Sequence, residues 1–375
     1  MSNQVLYRKY RPQKFSEISG QEHVVRTLTN AITSDSVAHA YLFCGPKGSG
    51  KTTMARLLAK AVNCEEKKSA EPCNKCSSCK EIIDGRAVDL MEIDAASHRG
   101  IENIRELRDG IRFSPARMKY RIFILDEAHQ LTSGAANALL KILEDAPAHA
   151  IFILATTETH KMIPTIISRC QRFDFRKLTV SQMVERMKGI AKKEGIKADE
   201  DALKIIAAAA GGSMRDGESL LSQVLSFAKL GEGITKENVK SILGVVEKQA
   251  ISSFIDHIIN SDAEGAFSVM NDLFSKGTDP EEFCNNIIHY LREMMILNII
   301  SGKVENGPIY DILMTTLTGE EIDVMKKQVE KISGEKIKEM IDVFLEAGRK
   351  IKYSPIPQLP LEVAIASIAQ GFKKD

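Results

Sequence analysis

Tyr41-Leu42-Phe43-Cys44-Gly45-Pro46-Lys47-Gly48-Ser49-Gly50-Lys51-Thr52 joins two patterns, and a third follows directly. The first four residues are a short apolar run stopped by a glycine, the pattern of a buried strand. The next eight satisfy G-x-x-x-x-G-K-[ST] at every position. After them Met54, Leu57, Leu58 and Ala61 recur at helical spacing. Strand, glycine-rich loop and helix in that order make a cradle for a triphosphate. Glycines let several backbone N–H groups converge on it, and the helix start adds partial positive charge. In such a loop Lys51 reaches the β- and γ-phosphates and Thr52 ligates Mg²⁺. Gly45, Pro46, Lys47, Gly48, Ser49, Gly50 and Thr53 complete the wall. A chance glycine-rich turn would lack the flanking strand and helix.

Outward from the loop, the runs at 87–93, 121–125 and 150–155 read as further buried strands. Ala136, Leu139, Leu140 and Leu143 mark an intervening helix. Strands alternating with helices imply a parallel sheet covered on both faces, hence an α/β domain over residues 1–177. After 177 the strand signals fade. Thr179-Val180-Ser181-Gln182 has the form of a capping box, and Met183, Met187 and Ile190 then line one helical face. Helical patterns at 199–209, 214–228 and 236–242 fill a small helical domain over 178–243. Residues 244–375 read as a third domain of amphipathic helices, such as the one carrying Phe283, Ile287, Leu291 and Met294. No internal repeat or low-complexity tail interrupts this order.

The 375 residues carry 51 Lys and Arg against 50 Asp and Glu, a net charge of +1. This excludes a globally basic nucleic-acid binder and leaves only local patches. Residues 1–16, for example, hold Arg8, Lys9, Arg11 and Lys14 with no acid. The length suits two or three domains, and 43% apolar with 27% charged residues argues against disorder. No apolar run has the length of a membrane span and the N-terminus has no signal-peptide core. The expectation is a cytoplasmic chain with reduced cysteines.

Leu125-Asp126-Glu127-Ala128-His129 closes an apolar strand with two carboxylates. Asp126 is placed to hold Mg²⁺ and Glu127 to orient and activate a water. Thr156-Thr157 ends the next strand, on the sheet edge that faces a nucleotide in such folds. Thr157, with Thr156 as alternate, is a candidate γ-phosphate or water contact; a strand-end threonine also serves simply as a cap. Cys64, Cys73, Cys76 and Cys79 have the spacing C-x8-C-x2-C-x2-C. Four thiolates close a tetrahedral structural Zn²⁺ site, so zinc would fold the insert at 64–79 without joining the chemistry. A disulfide pair and an iron–sulfur cluster are the alternatives. Cys44, Cys170 and Cys284 read as small packing groups.

Two arginines complete the pattern: Arg169 in Ser168-Arg169-Cys170, and Arg215 in Gly212-Ser213-Met214-Arg215-Asp216. Singly, each is an ordinary surface salt-bridge partner. Together with the nucleotide motifs, the chain resembles the AAA+ ATPases of the clamp-loader branch. It is similar in particular to the gamma/tau subunits of bacterial DNA polymerase III. The residues that carry the likeness are Tyr7-Arg8-Lys9-Tyr10-Arg11-Pro12, Gly20-Gln21-Glu22-His23, the phosphate loop, the four cysteines, Glu92-Ile93-Asp94-Ala95-Ala96-Ser97, Asp126-Glu127-Ala128-His129, Asn137-Ala138-Leu139-Leu140-Lys141, Leu154-Ala155-Thr156-Thr157, Ser168-Arg169-Cys170 and Gly212 to Asp216. The likeness is dense from residue 4 to about 244. In the last third it rests on length and helical character.

The resemblance implies an AAA+ P-loop domain with a zinc module, a helical lid and a helical collar that assembles subunits. It implies an ATPase that loads a sliding clamp onto primer–template DNA during replication. Arg169 becomes an arginine finger acting in trans, Arg215 a lid sensor of the γ-phosphate and Thr157 the strand-end sensor. Arg8 and Arg11 fall near the adenine and ribose. The implied cofactors are ATP, Mg²⁺ and Zn²⁺. The implied partners are delta, delta prime and further gamma/tau copies in a pentamer, the clamp and DNA, with no membrane. Arg99, Arg105 and Lys141 are candidate phosphate contacts, against a reading as a solvated face. The alternatives are another AAA+ DNA motor, such as a branch-migration helicase, or a structural subunit with a dead site. Relatives of this type often carry a C-terminal tail for polymerase and helicase. This sequence stops at Asp375 without one, so tail functions are not assigned to its residues.

Overall fold

The computed structural model describes residues 5–66, 69–228, 233–243, 248–300 and 319–371. The chain forms two compact units that part between Val239 and Lys240. The first is built on a five-stranded sheet: β1 (Ala40–Cys44), β2 (Leu90–Asp94), β3 (Arg121–Asp126), β4 (Ala150–Thr156) and β5 (Gln171–Asp174). All pairings are parallel, in the order β2-β3-β4-β1-β5. Leu42 sits opposite Leu154, and Ile93 opposite Leu125.

Period-two alternation sends each strand's side chains into two apolar layers. Tyr41, Phe43, Ile122, Ile124, Ile151 and Ile153 face one layer, packed with α2 (Glu22–Thr33) and α3 (Lys51–Val62). Leu42, Cys44, Phe123, Leu125, Phe152 and Leu154 face the other, against α5 (Ile101–Ile111) and α6 (Ser133–Glu144). Phe123 and Phe152 stack there at a centroid separation of 5.2 Å. The centre of the sheet thus has covered faces and near-continuous apolar strands, as a parallel sheet requires.

The edges differ from the sequence expectation. The run at 87–93 read as a buried strand, but β2 begins only at Leu90, and Met91 and Glu92 are exposed. Val88 is 71% exposed. Asp89, fully enclosed, turns the chain by accepting from the backbone N–H of Ala116, Arg117 and Met118. At the other edge, β5 (Gln-Arg-Phe-Asp) was not foreseen. Only Phe173 of its four residues is buried, so it carries no apolar run to read.

The helices after 177 include α8 (Val180–Lys193), α9 (Glu200–Ala209) and α10 (Met214–Ala228). The capping box is present: Thr179 Oγ1 accepts from Gln182 N at 3.3 Å, and Gln182 Oε1 from Thr179 N at 3.0 Å. α10 packs on α8, on α9 and on the short N-terminal α1 (Leu6–Lys9).

The second unit is helical, with long helices at Pro280–Ile300 and Gly334–Ile351. Phe254, Phe283 and Phe344 are fully buried at its centre, with Phe254–Phe283 edge-to-face at 5.2 Å. Phe283, Ile287, Leu291 and Met294, the face read from sequence, all lie in this core. Among the described residues no helix is long and apolar enough to cross a membrane.

Candidate functional site

The phosphate loop leaves the C-terminal end of β1 and ends in α3. Gly48 has φ +74°, a left-handed conformation that costs an L-residue about 1–2 kcal/mol. Its carbonyl accepts from Met214 N at 3.2 Å, and a Cβ on it would meet Ser213 Oγ at 2.0 Å. Glycine here lets the turn before α10 lie directly on the loop. A Cβ on Gly45 would likewise strike the Phe175 carbonyl at 2.5 Å.

Lys51 is buried, with Nζ donating to the Gly45 and Pro46 carbonyls at 2.7 and 2.9 Å. Burial pushes its pKa down, and Glu127 and Asp126 oppose that shift. Thr52 Oγ1 donates to Asp126 Oδ2 at 2.8 Å, which brings the two residues read as magnesium ligands side by side. Both offer hard oxygen donors, the set Mg²⁺ prefers. Glu127, at φ +48°, turns its side chain back to Thr157, whose Oγ1 donates to Glu127 Oε2 at 2.9 Å.

One cavity of about 320 Å³ gathers these groups. It is lined by Lys47 to Thr53, Asp126, Glu127, Met214 and Arg215, and across from them by Tyr7, Arg8, Arg11 and Pro12. The Arg215 guanidinium lies 4.9 Å from the Tyr7 ring centroid and Arg8 5.9 Å from it. The hydrogen bond from Arg215 holds the Tyr7 hydroxyl below its usual pKa. Burial lowers the pKa of Arg11, with Arg56 adding repulsion. The cavity wall is therefore dense in cations, as a polyphosphate site needs.

Arg169 stands outside this wall. It follows the short α7 (Pro164–Ile167), is 36% exposed along its side chain, and pairs with Glu144 at 2.6 Å. Thr157 meets the site through Glu127, whereas Thr156 is fully buried and lies 3.0 Å from His129 Nδ1. Arg99 and Lys141 are exposed; the Arg105 side chain lies outside the described residues.

Four participants were not read from sequence. Glu218, one helical turn after Arg215, is 5% exposed and lines the cavity. Burial pushes its carboxyl up to about 7 against the pull of Arg186, 3.6 Å away. Arg186, on α8, also donates to the Tyr10 carbonyl. The i, i+3 spacing from Arg215 was the available signal for Glu218. His129 is enclosed between Glu127 Oε2 at 3.4 Å and Glu158 Oε1 at 3.3 Å. Lys60, at the end of α3, is 2% exposed with its pKa lowered by burial to about 8.

The four cysteines cluster as expected, Cys76 just before and Cys79 within α4 (Ser77–Asp84), with all Sγ atoms within 4.8 Å of one another. None is in a disulfide, so that alternative is not realised. Lys75 N and Cys76 N both donate to Cys73 Sγ at 3.3 Å, which brings the thiol down to about 7. Burial pushes Cys79 up. A tetrahedral zinc with bonds of about 2.3 Å sets sulfurs just under about 4 Å apart, so the set fits a metal after small adjustment. Cys44 and Cys284 are buried and Cys170 half-buried, and none of the three belongs to this cluster.

Three family models match in succession. That for the "DNA polymerase III, delta subunit" covers residues 20–179, the "DNA polymerase III clamp loader subunit, ATPase lid domain" 182–230, and "DNA polymerase III subunits gamma and tau domain III" 234–372. The DNA polymerase III subunit tau of Bacillus subtilis is 42% identical over 370 residues, 99% of this chain and 64% of that protein. The chain belongs to the DNA polymerase III gamma/tau family. Another relative in the gamma/tau family, the subunit gamma/tau of Mycobacterium tuberculosis, is 36% identical over 97% of this chain and 62% of its own length. Subunit tau of Escherichia coli is 38% identical over 82% and 47%. This chain thus spans less than two thirds of the curated gamma/tau relatives it matches. Among solved structures, the Thermotoga maritima RuvB branch-migration motor superposes at a TM-score of 0.49, with 19% identity over 66% of this chain and 79% of that one.

Proposed function

We propose that this gamma/tau-family chain is an ATP-hydrolysing subunit of the DNA polymerase III clamp loader. The observation that carries the reading is one cavity that gathers Lys51, Thr52, Asp126, Glu127 and Arg215. In it the phosphate-loop amides and Lys51 take the β- and γ-phosphates. Glu127, aimed by Thr157, accepts a proton as water attacks the γ-phosphorus; the bond to the ADP oxygen breaks and phosphate leaves. Thr52 and Asp126 would hold Mg²⁺, which neutralises charge on the phosphates when bound. Arg215 senses the γ-phosphate from the lid, and Arg8 and Arg11 border the nucleoside. Arg169, outside its own cavity, half-buried and paired with Glu144, suits a finger that exchanges this partner for a neighbouring subunit's site.

ATP bound at a subunit boundary favours the assembly geometry in which both arginines engage it. That geometry would open the sliding clamp on primer–template DNA, with hydrolysis releasing it. The partners are delta, delta prime and further copies of the chain in a pentamer, acting in the cytoplasm. Arg99, Arg105 and Lys141 are proposed to meet DNA phosphates. The cysteine set would hold zinc as a structural ion, and metal analysis should find about one per chain.

The test is ATP hydrolysis by the reconstituted assembly, with and without clamp and primed DNA. Stimulation that needs both supports the reading. ATP-driven unwinding that needs no clamp would replace it with a helicase motor. Lys51→Ala should lose ATP binding, and a variant that binds normally would show the loop misread.

A further inference from the structure

The cysteine module makes a set of contacts that a merely folded insert would not need. Lys60 closes the phosphate-loop helix, and its Nζ spends all three protons: on Gln13 O at 3.0 Å, Gln13 Oε1 at 2.6 Å and Asn74 Oδ1 at 2.7 Å. Asn74 sits between Cys73 and Cys76 at φ +58° and donates from Nδ2 to the same Gln13 carbonyl at 3.0 Å. Glu71, two residues before Cys73, accepts from Phe15 N and Ser16 N at 2.8 Å each. Gln13 in turn donates from Nε2 to Arg11 O at 3.1 Å, and its own N–H reaches the cavity-lining Glu17 at 2.7 Å. Residues 13–16 are thus gripped from the module's side and joined to the cavity wall on the other.

We propose that the four-cysteine module is a positioning element for the nucleoside side of the pocket, acting through Lys60, Asn74 and Glu71 on residues 13–16. The proposal rests on the assignment of the cavity to ATP. With the phosphates on 47–53, the nucleoside falls to the N-terminal wall at Tyr7, Arg8, Arg11 and Pro12. The regular structure in that wall is short: α1 is one turn long. α10 packs on α1 and Arg186 holds the Tyr10 carbonyl, so what is left to fix Arg11 and Pro12 is the hold on Gln13, which follows them directly and bonds the Arg11 carbonyl. A knuckle closed on a metal would be stiff, because two of the four cysteines that would hold it flank Asn74 within three residues. A lysine ammonium satisfied by three amide and carbonyl oxygens ties knuckle, N-terminal segment and phosphate-loop helix to one point. The groups facing that point are Gln13, Asn74 and, by charge, Cys79, Glu17 and Glu71.

The test separates nucleoside from phosphate binding. Asn74→Gly removes both side-chain links while keeping a backbone that glycine adopts freely, and Lys60→Met removes the ammonium at similar length. Each variant is titrated with ATP and with inorganic tripolyphosphate, which needs only the loop. ATP affinity is expected to fall about tenfold, the order for losing hydrogen bonds to a buried charge, with tripolyphosphate affinity unchanged. In the assembled complex KM for ATP should rise more than kcat falls. Unchanged ATP affinity in Asn74→Gly, or equal losses for both ligands, overturns the proposal. A wild-type chain that binds no ATP would overturn the site assignment and this coupling together, whereas equal binding by wild type and variants overturns the coupling alone.

Discussion

Gly48→Ala tests whether the lid turn and the phosphate loop are built as one object. Two separable costs are legible. The first is the backbone: φ +74° is left-handed, worth about 1–2 kcal/mol against alanine. The second is contact. The new methyl would lie 2.0 Å from Ser213 Oγ, 2.9 Å from its Cβ and 3.2 Å from its Cα. The hydroxyl can rotate away, but Cβ must retreat by about half an ångström to reach ordinary contact. Ser213 directly precedes α10, and Met214 N bonds the Gly48 carbonyl. The retreat therefore carries Arg215 away from the phosphate loop. The free loop of the variant can relieve both costs by leaving this conformation, which ATP binding must restore, so together they predict ATP affinity lower by roughly 10–100-fold, since about 1.4 kcal/mol is tenfold. In the double variant Gly48→Ala/Ser213→Gly most of the contact cost goes, because the Oγ and Cβ contacts are removed and only the 3.2 Å approach to the Cα of residue 213 stays. The Ser213 cap on Asp216 N is lost as well, but glycine there costs only a few tenths of a kcal/mol. Equilibrium titration with a fluorescent ATP analogue should therefore show about half of the lost binding energy regained. Wild-type affinity in Gly48→Ala, or no recovery in the double variant, would refute the claim that the turn before α10 rests on the loop.

Thr157→Val removes the hydroxyl that aims Glu127 while keeping its shape. Single-turnover hydrolysis should slow by roughly tenfold or more, with ATP binding intact; an unchanged rate would detach Thr157 from the chemistry. Arg169→Ala should bind ATP normally and lose about 10³-fold in hydrolysis once assembled, while equal turnover by mutant and normal assemblies would remove the finger. Glu218, held near 7 by burial, binds its proton more tightly folded than unfolded. Its neutral form is thus favoured in the fold, and the first unit should lose stability as pH rises from about 4.5 to 7, by up to about 3 kcal/mol. Glu218→Gln should flatten that slope in thermal melts taken between pH 5 and 8, and parallel slopes in the two proteins would discount the buried carboxyl.

What could be read in advance follows from how far each signal reaches along the chain. The phosphate loop, the acidic pair at the end of β3, the capping box at Thr179 and the clustering of four cysteines are local, each legible within about sixteen residues. The edge strands were harder. β5 is recruited by its neighbour β1 through backbone bonding and by one phenylalanine, with no apolar run of its own. At β2 an apolar-looking run stays largely in solvent because only one side of an edge strand is paired. Arg215 was recognisable in its motif, but not its stacking on Tyr7, more than two hundred residues earlier.

By itself, then, the sequence marked the residues for the chemistry proposed for this gamma/tau-family chain: the candidates to bind phosphate, ligate a metal or activate water. Those roles depend on residue type and on spacings of a few residues. Only the tertiary structure decided which groups meet. Glu127 is aimed by Thr157 from the next strand, Glu218 is buried beside Arg186, and Lys60 joins the cysteine knuckle to Gln13. Such contacts are decided by packing between elements distant in sequence. Burial then alters what the same side chains do, as in the raised Glu218 carboxyl and the lowered Lys60 ammonium.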